Sequence, residues 1–537
     1  ARHRIFNDKR FVQGLRLCTT ASEHPKLAEL VRILKMRKGK EKVLVFAQYR
    51  DQVKTMVETL RKEGFSSERF VGKKEGVTSE EQKRTIARFA AGEFDVMCAT
   101  SVHPDEFILI RNDINDTIKI EKIGNFVNSF FESNSKMTTS KKIDGYSVLS
   151  YDGEKVDFYQ ITHVHKHKRR SKVVEIKTAS GFRTKVTEDH SLFSFDDKLD
   201  LIPAKPDNGL FVKLAISAPN IELEREIDVV NELVKNAPKN ISNSIYVSLE
   251  GLTQAKIRIY STDRKFLFAI REKDKHMEGI AQNASIDKST VADAAKRLES
   301  KKLIKTATTG RYKILSITES GKRYLAFLEW LFDSYCYRKM KYRIPLKKAI
   351  KAPPFVNEFC KQFVEVSYGK AKIPRFIKPN EALAEFLGLY VSEGSTRKTK
   401  STSDVFLAAR DKQMQKKMRK SVANGLGLKT RTCWHGVAIE AQIAHYLIKY
   451  VFRGGVGAYN KEVPDYLFSA PSEQKWKFLE GYCAGDGCVR DKRIIFTSVS
   501  EKLMFGLIVL LRQLNIRKIS LIKGKIKSAY DVHISES

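Results

Sequence analysis

The sequence predicts a multidomain protein, α/β and β in class, on three observations. Its 537 residues exceed what one hydrophobic core organises, at roughly 150 residues per domain. Apolar residues make up 42% of the chain, with 31 Phe and 19 Tyr, enough for packed cores and against disorder. The periodicity also changes along the chain. Strands alternate with helices to about residue 100; short β-like runs follow, then a polar helical stretch, then longer helices and strands.

Residues 1–100 carry the α/β signal. The run HPKLAELVRILKMR predicts an amphipathic helix, and KVLVFA over 42–47 a buried strand. A helix over 51–63 ends at Gly64, a residue that tolerates the left-handed turn closing a helix. A short strand over 68–71 follows. Ser79-Glu80-Glu81-Gln82 is a capping box opening a helix to about Phe89, and FDVMCAT over 94–100 is a closing strand. This alternation implies a parallel sheet. Beyond Ser101 it becomes β-like runs, such as 107–110, 173–176 and 184–187, separated by polar turns, so a boundary falls at about 101. Residues 101–217 are assigned to a β-rich domain and 218–335 to a helical insert. Residues 336–516 are assigned to an α+β domain and 517–537 to a final segment, the last third alternating longer helices and strands.

Lys and Arg number 98 against 63 Asp and Glu, a net charge of +35 that calls for a polyanion, most simply double-stranded DNA. The seven cysteines are unevenly spaced and include no CxxC pair, which argues against a disulfide framework or structural zinc and for a reducing, cytoplasmic setting. The longest apolar run, 503–511, is far short of the ~20 residues that span a bilayer, so no membrane association is expected. A monomer is expected.

Within 218–335, a helix opening at Met277, a turn at 284–287 and a helix over 289–298 precede two strands around Thr309-Gly310. Helix-turn-helix plus hairpin resembles a winged-helix DNA-binding module. Lys288, Ser289, Thr290, Lys296 and Arg297 would then face DNA.

The chemistry-bearing pattern lies further on. FLGLYVSEG over 386–394 and FLEGYCAGDG over 478–487 are two versions of one design, an apolar, small-residue helix ending in an acid and a Gly. Small residues let two helix backbones approach, which would bring Glu393 and Asp486 together at the same end of the pair. That is the C-terminal end, where the macrodipole is negative and carboxylates are disfavoured. A hard divalent cation such as Mg²⁺ resolves the conflict, and between two carboxylates it can serve phosphodiester hydrolysis.

These motifs, with NKEVP over 460–464, resemble the LAGLIDADG homing endonucleases. The resemblance implies an α+β endonuclease cleaving double-stranded DNA with Mg²⁺, Glu393 and Asp486 as metal-binding catalytic acids, and Lys461 near the scissile phosphate. Glu at 393 departs from the usual Asp. Such enzymes ride inside inteins. SVHPDEFI from Ser101, TEDHSLF from Thr187 and AYDVHI from Ala529 resemble three blocks of a Hint-fold splicing domain. By that resemblance Ser101 attacks the Thr100 carbonyl, His190 protonates the departing nitrogen, Thr187 hydrogen-bonds the strained peptide, and Asp531 assists later proton movements. The Hint domain itself uses no cofactor. The family pattern implies a continuation beyond Ser537 to a terminal His-Asn, after which the host resumes with Ser-Val-Gly-Glu-Glu-Gly-Leu-Asp.

Residues 1–100 then become the interrupted host. VLVFAQYR over 43–50, RFVG over 69–72 and the strand ending Ala99-Thr100 resemble the second RecA-like domain of superfamily-two helicases of the archaeal Hef type, broken in motif V. The Walker and QxxGRxGR motifs are not in this sequence, so ATP belongs only to a complete host helicase. Two rival readings are a winged-helix DNA-binding protein, which leaves the paired acids unexplained, and a helicase carrying a catalytically dead insert.

Overall fold

The computed structural model describes residues 30–32, 34–35, 43–46, 50–69, 96–99, 103–131, 139–151, 155–166, 172–187, 192–195, 201–204, 217–273, 275–338, 341–367, 369–398, 403–490, 493–524 and 529–535. The chain divides into two compact units. One holds 1–219, 511–523 and 532–537; the other holds 220–510 and 524–531. No unit boundary falls at 335, and one falls between residues 510 and 511.

In the first unit, β1 (Val43–Phe46), α1 (Arg50–Lys62), β2 (Ser67–Arg69) and β3 (Val96–Ala99) form the expected parallel sheet, in the order β1-β3-β2. Val53, Met56, Val57 and Leu60 of α1 pack with Val31 and Leu34 in one apolar cluster. That spacing puts them on one helical stripe. The expected helix over 79–89 lies outside the described residues. The β-rich part contains β4 (Phe107–Asn112), β5 (Thr117–Lys122), α2 (Ile123–Asn128), β6 (Tyr146–Tyr151) and β7 (Val156–Gln160). Its sheet order is β5-β4-β6-β7. The antiparallel hairpin of β8 (Val173–Lys177) and β9 (Arg183–Thr187) turns through Gly181, whose φ of +86° disfavours any other residue.

The second unit opens with a departure from expectation. The stretch read as helical contains a fully buried strand, β10 (Ile245–Leu249). Its β-branched and aromatic residues suit a sheet centre, and local pattern alone does not distinguish such a run from a buried helix. The helical module follows: α3 (Gln254–Ala269), β11 (Lys275–His276), α4 (Met277–Ala284), α5 (Lys288–Ser300), β12 (Ile304–Thr309), β13 (Tyr312–Ile317) and α6 (Glu319–Ser334). Four more strands, two of them at the edges, complete a sheet around β10. These are β14 (Cys336–Arg338), β15 (Lys341–Pro345), β16 (Gln362–Val366) and β17 (Lys372–Pro374), in the order β14-β15-β10-β16-β17. The helical module is thus inserted between strands of one sheet, which is why no boundary falls at 335.

The remaining elements repeat. First come α7 (Glu381–Glu393), β18 (Gly394–Lys398), β19 (Ser403–Ala408), α8 (Lys412–Leu426), β20 (Arg431–Cys433) and β21 (Gly436–Ile439), with sheet order β18-β19-β21-β20. Then α9 (Ser472–Asp486), the hairpin β22 (Gly487–Arg490) and β23 (Arg493–Ser498), and α10 (Glu501–Gln513) follow the same helix-hairpin-helix plan. Two further strands follow, β24 (Ile519–Lys523), which belongs to the first unit, and β25 (Tyr530–Ser535), which begins in the second unit and ends in the first. No helix among the described residues is long and apolar enough to cross a membrane.

Candidate active site

Helices α7 and α9 touch backbone to backbone. A Cβ on Gly388 would meet the Phe478 carbonyl oxygen at 2.1 Å, and one on Gly481 would meet the Glu385 oxygen at 2.4 Å. At the far end, a Cβ on Gly485 would lie 2.7 Å from Cγ of Glu393 and 2.4 Å from Ser392 Oγ. The glycines thus act where the sequence placed them, and the helices stay in contact up to the two acids. Each helix stops on its acid, with Gly394 and Gly487 extended at the C-cap. Leu383, Phe386, Leu387, Phe478 and Tyr482 are buried, so the pair is anchored along its length.

Burial pushes the Glu393 carboxyl above the ordinary carboxylate range. Asp486 rises to about 6, first by burial and then through the nearby Glu393 charge, with Lys461 opposing. Two carboxyls that resist ionising together at one point are a poor resting place for two negative charges, and a good one for a cation. They are hard oxygen donors, as Mg²⁺ and its neighbours prefer. Among the described residues no group of three or more His, Cys, Asp and Glu forms a metal cage, so further donors would be water or phosphate oxygens.

Lys461 is buried beneath this point. Its ammonium donates to the carbonyls of Tyr390, at 2.6 Å, and Gly394, at 2.8 Å, and lies 3.4 Å from the Tyr390 ring centroid. A cation against the last carbonyls of a helix offsets the negative macrodipole end. Burial pulls its pKa down to about 7, with the Asp486 charge acting the other way. Lys461 in turn is held by Ser500, whose hydroxyl donates to the Lys461 carbonyl at 2.6 Å. The structure therefore unites Glu393, Asp486 and Lys461.

The expected DNA face of α5 changes on inspection. Asp287 caps the helix, accepting from the Thr290 amide at 2.8 Å and from the Ser289 and Thr290 hydroxyls at 2.6 Å each. Those bonds hold its carboxyl well below the usual range. Lys288 pairs with Glu278 at 2.7 Å. Arg297 is bound to the fully buried Asp263 of α3, which also accepts from the Tyr324 hydroxyl at 3.2 Å. Arg297 is thus a core fastener between helices, not a free phosphate ligand, because a buried carboxylate needs a cation. Lys296 is exposed. Sequence reasoning missed the hairpin tip, where Arg311, Tyr312 and Lys313 are exposed beside Gly310. The signal was present, since basic and aromatic residues flank a Gly turn there.

Of the splicing residues, Thr187 ends β9 and is buried; Ser101 and His190 lie outside the described residues. Asp531 lies in the second unit, and its Oδ1 accepts from the Thr497 hydroxyl of β23 at 2.7 Å.

Two stretches match known families. Residues 473–536 match the LAGLIDADG-like domain, running through α9, β22, β23 and the strand that bears Asp531. Residues 25–103 match the helicase conserved C-terminal domain. A DNA polymerase of Thermococcus sp. (strain GE8) is 27% identical over 450 residues, covering 79% of this chain and 25% of that protein. A DNA polymerase of Methanocaldococcus jannaschii is 23% identical over 432 residues, covering 77% of this chain and 25% of its own length. The chain spans about a quarter of the length of these relatives. Among solved structures, the Hef helicase domain of Pyrococcus furiosus is 38% identical over 18% of this chain and 22% of its own, with TM-score 0.14. The endonuclease I-DmoI with DNA and Mn is 13% identical over 29% of this chain and 89% of its own, with TM-score 0.24.

Proposed function

We propose that this chain is a helicase fragment interrupted by an intein, and that the intein carries a DNA endonuclease built on α7 and α9. The observation that carries the nuclease is the meeting of Glu393 and Asp486 where Gly485 lets the helix ends touch. A match of four-fifths of this chain to a quarter of proteins named for a different activity supports an inserted element shared between unrelated hosts. The helicase match ending at residue 103 supports an interruption near Ser101.

In the nuclease, Glu393 and Asp486 would hold a divalent cation, Mg²⁺ by preference, which when bound stabilises charge on the attacked phosphate. The protein's own part is to hold both carboxylates rigidly, with Asp486 losing its proton at a pH of about 6, and to keep Lys461 fixed below them. Double-stranded DNA is the substrate and the partner, recruited by the +35 charge. In the splicing part, Ser101 Oγ would attack the Thr100 carbonyl carbon, giving up its hydroxyl proton to solvent and forming an ester as the C–N bond breaks. His190 supplies the proton to the freed nitrogen, and Thr187 hydrogen-bonds the peptide. Asp531, whose Oδ1 accepts from the Thr497 hydroxyl, would assist the later proton movements. ATP would be used only by a complete host helicase.

Incubation with Mg²⁺ and a plasmid carrying the uninterrupted host gene tests the nuclease reading. Site-specific linearisation is expected. Retardation of the plasmid without cleavage would overturn it in favour of a DNA-binding protein.

A further inference from the structure

A single carboxylate joins the two segments that would flank the splice junction. Glu106 sits in the turn entering β4, five residues after Ser101. Its Oε1 accepts from the Lys185 backbone N–H at 2.8 Å, and its Oε2 from the Thr184 hydroxyl at 2.8 Å. Both donors lie on β9, whose last residue is the buried Thr187. The turn is fixed from its other side as well. Ile123 N–H donates to the Glu106 carbonyl at 2.9 Å, and Gly124 N–H to the Pro104 carbonyl at 2.8 Å. A Cβ on Gly124 would lie 2.7 Å from the Pro104 Cβ, so α2 and the turn are in direct contact.

We infer that Glu106 is a positioning residue for acyl transfer at Ser101, an inference that rests on the splicing reading above. An unrestrained five-residue tether reaches up to about 17 Å, whereas acyl transfer needs the nucleophile within about 3.5 Å of the carbonyl. Backbone bonds at Pro104 and Glu106 already restrain the turn that follows Ser101 in sequence, and the Glu106 carboxylate fixes the strand leading to Thr187 against that same turn. Hydrogen bonds to a carboxylate are stronger than neutral ones, which suits a clamp at a half-exposed position. The neighbouring acid provides a control. Asp105 is exposed and pairs with Lys122 at 3.0 Å, with no bond to β9.

The test follows release of residues 1–100 from the full chain by hydroxylamine, which cleaves an ester at Ser101. Wild type should release and Ser101→Ala should not. Glu106→Ala should slow release by about 10- to 100-fold. Glu106→Gln keeps a carbonyl acceptor and should recover most of the rate, Asp105→Ala should match wild type, and Thr184→Val should be intermediate. Combining Glu106→Ala with Thr184→Val should be no slower than Glu106→Ala alone. Plasmid cleavage by the same variants reports that the chain is folded; if Glu106→Ala does not fold, Thr184→Val decides. Glu106→Ala or Thr184→Val at the wild-type rate overturns the inference and leaves the splicing reading standing. Equal release from wild type and Ser101→Ala overturns both.

Discussion

At the residue scale, Glu393 and Asp486 differ from ordinary acids in being deprived of water beside one another. Glu393→Gln or Asp486→Asn should abolish DNA cleavage by at least about 10³-fold while DNA retention in a gel is unchanged, because each substitution keeps the shape and removes a metal-binding charge. A variant that cuts normally in Mg²⁺ would sink the assignment. The pH dependence follows from the same shifts. A carboxyl whose folded pKa is raised binds more protons in the native state, so without metal its contribution to stability is greatest at low pH. That contribution falls as pH rises from about 4 to about 6. A bound cation reverses the balance, since it requires the deprotonated pair. The rise in melting temperature on adding Mg²⁺ should therefore be full at pH 7.5 and shrink below pH about 6, and Asp486→Asn should remove it. A Mg²⁺ effect equal at pH 5 and pH 7.5 would contradict the site.

At the element scale, the pairing of α7 and α9 was legible because a repeated small-residue pattern has few other uses. Gly388, Gly481 and Gly485 all lie in the contact. Replacing Gly388 by Ala puts a Cβ 2.1 Å from the Phe478 oxygen, and backbone rather than a flexible side chain must yield. Overpacking of this kind costs about 1–3 kcal/mol, or several degrees in the melting of a domain this size. Calorimetry should show the lower melting, and cleavage should fall with it. Unchanged melting would mean the helices are not in contact. The strand β10 and the α5 fastening were not legible. Ile245–Leu249 reads equally as buried strand or helix, because burial on both faces erases the alternation that marks a strand. Arg297 looked like a phosphate ligand because nothing local to α5 announces Asp263, 34 residues earlier on α3. Ser289 and Thr290 carry the composition of a DNA-facing helix start and of an N-cap alike, and Asp287 makes them the second.

At the scale of the whole molecule, charge was the most legible property, yet its distribution was not. Not all of the basic residues lie at the surface, since Lys461, Lys475 and Arg343 are buried. Lys475 donates to Asn220, and Arg343 pairs with Glu365 at 2.5 Å, so both serve the fold. Affinity for DNA should therefore depend on the exposed remainder, among it Lys296 and the Arg311–Lys313 hairpin tip. Each phosphate contact releases counterions, so binding weakens with salt in proportion to the number of contacts. For roughly 6–10 contacts, affinity should fall about 10³- to 10⁵-fold between 50 and 200 mM salt. Replacing Arg311 and Lys313 by Ala should lower the slope of log affinity against log salt by about 2, one for each lost contact. The same replacement leaves Glu393, Asp486 and Lys461 in place, so cleavage at saturating protein should persist. A flat salt titration would remove DNA as the reason for the charge. An unchanged slope in the Arg311, Lys313 variant would move the DNA contact away from this hairpin and back to other exposed cations.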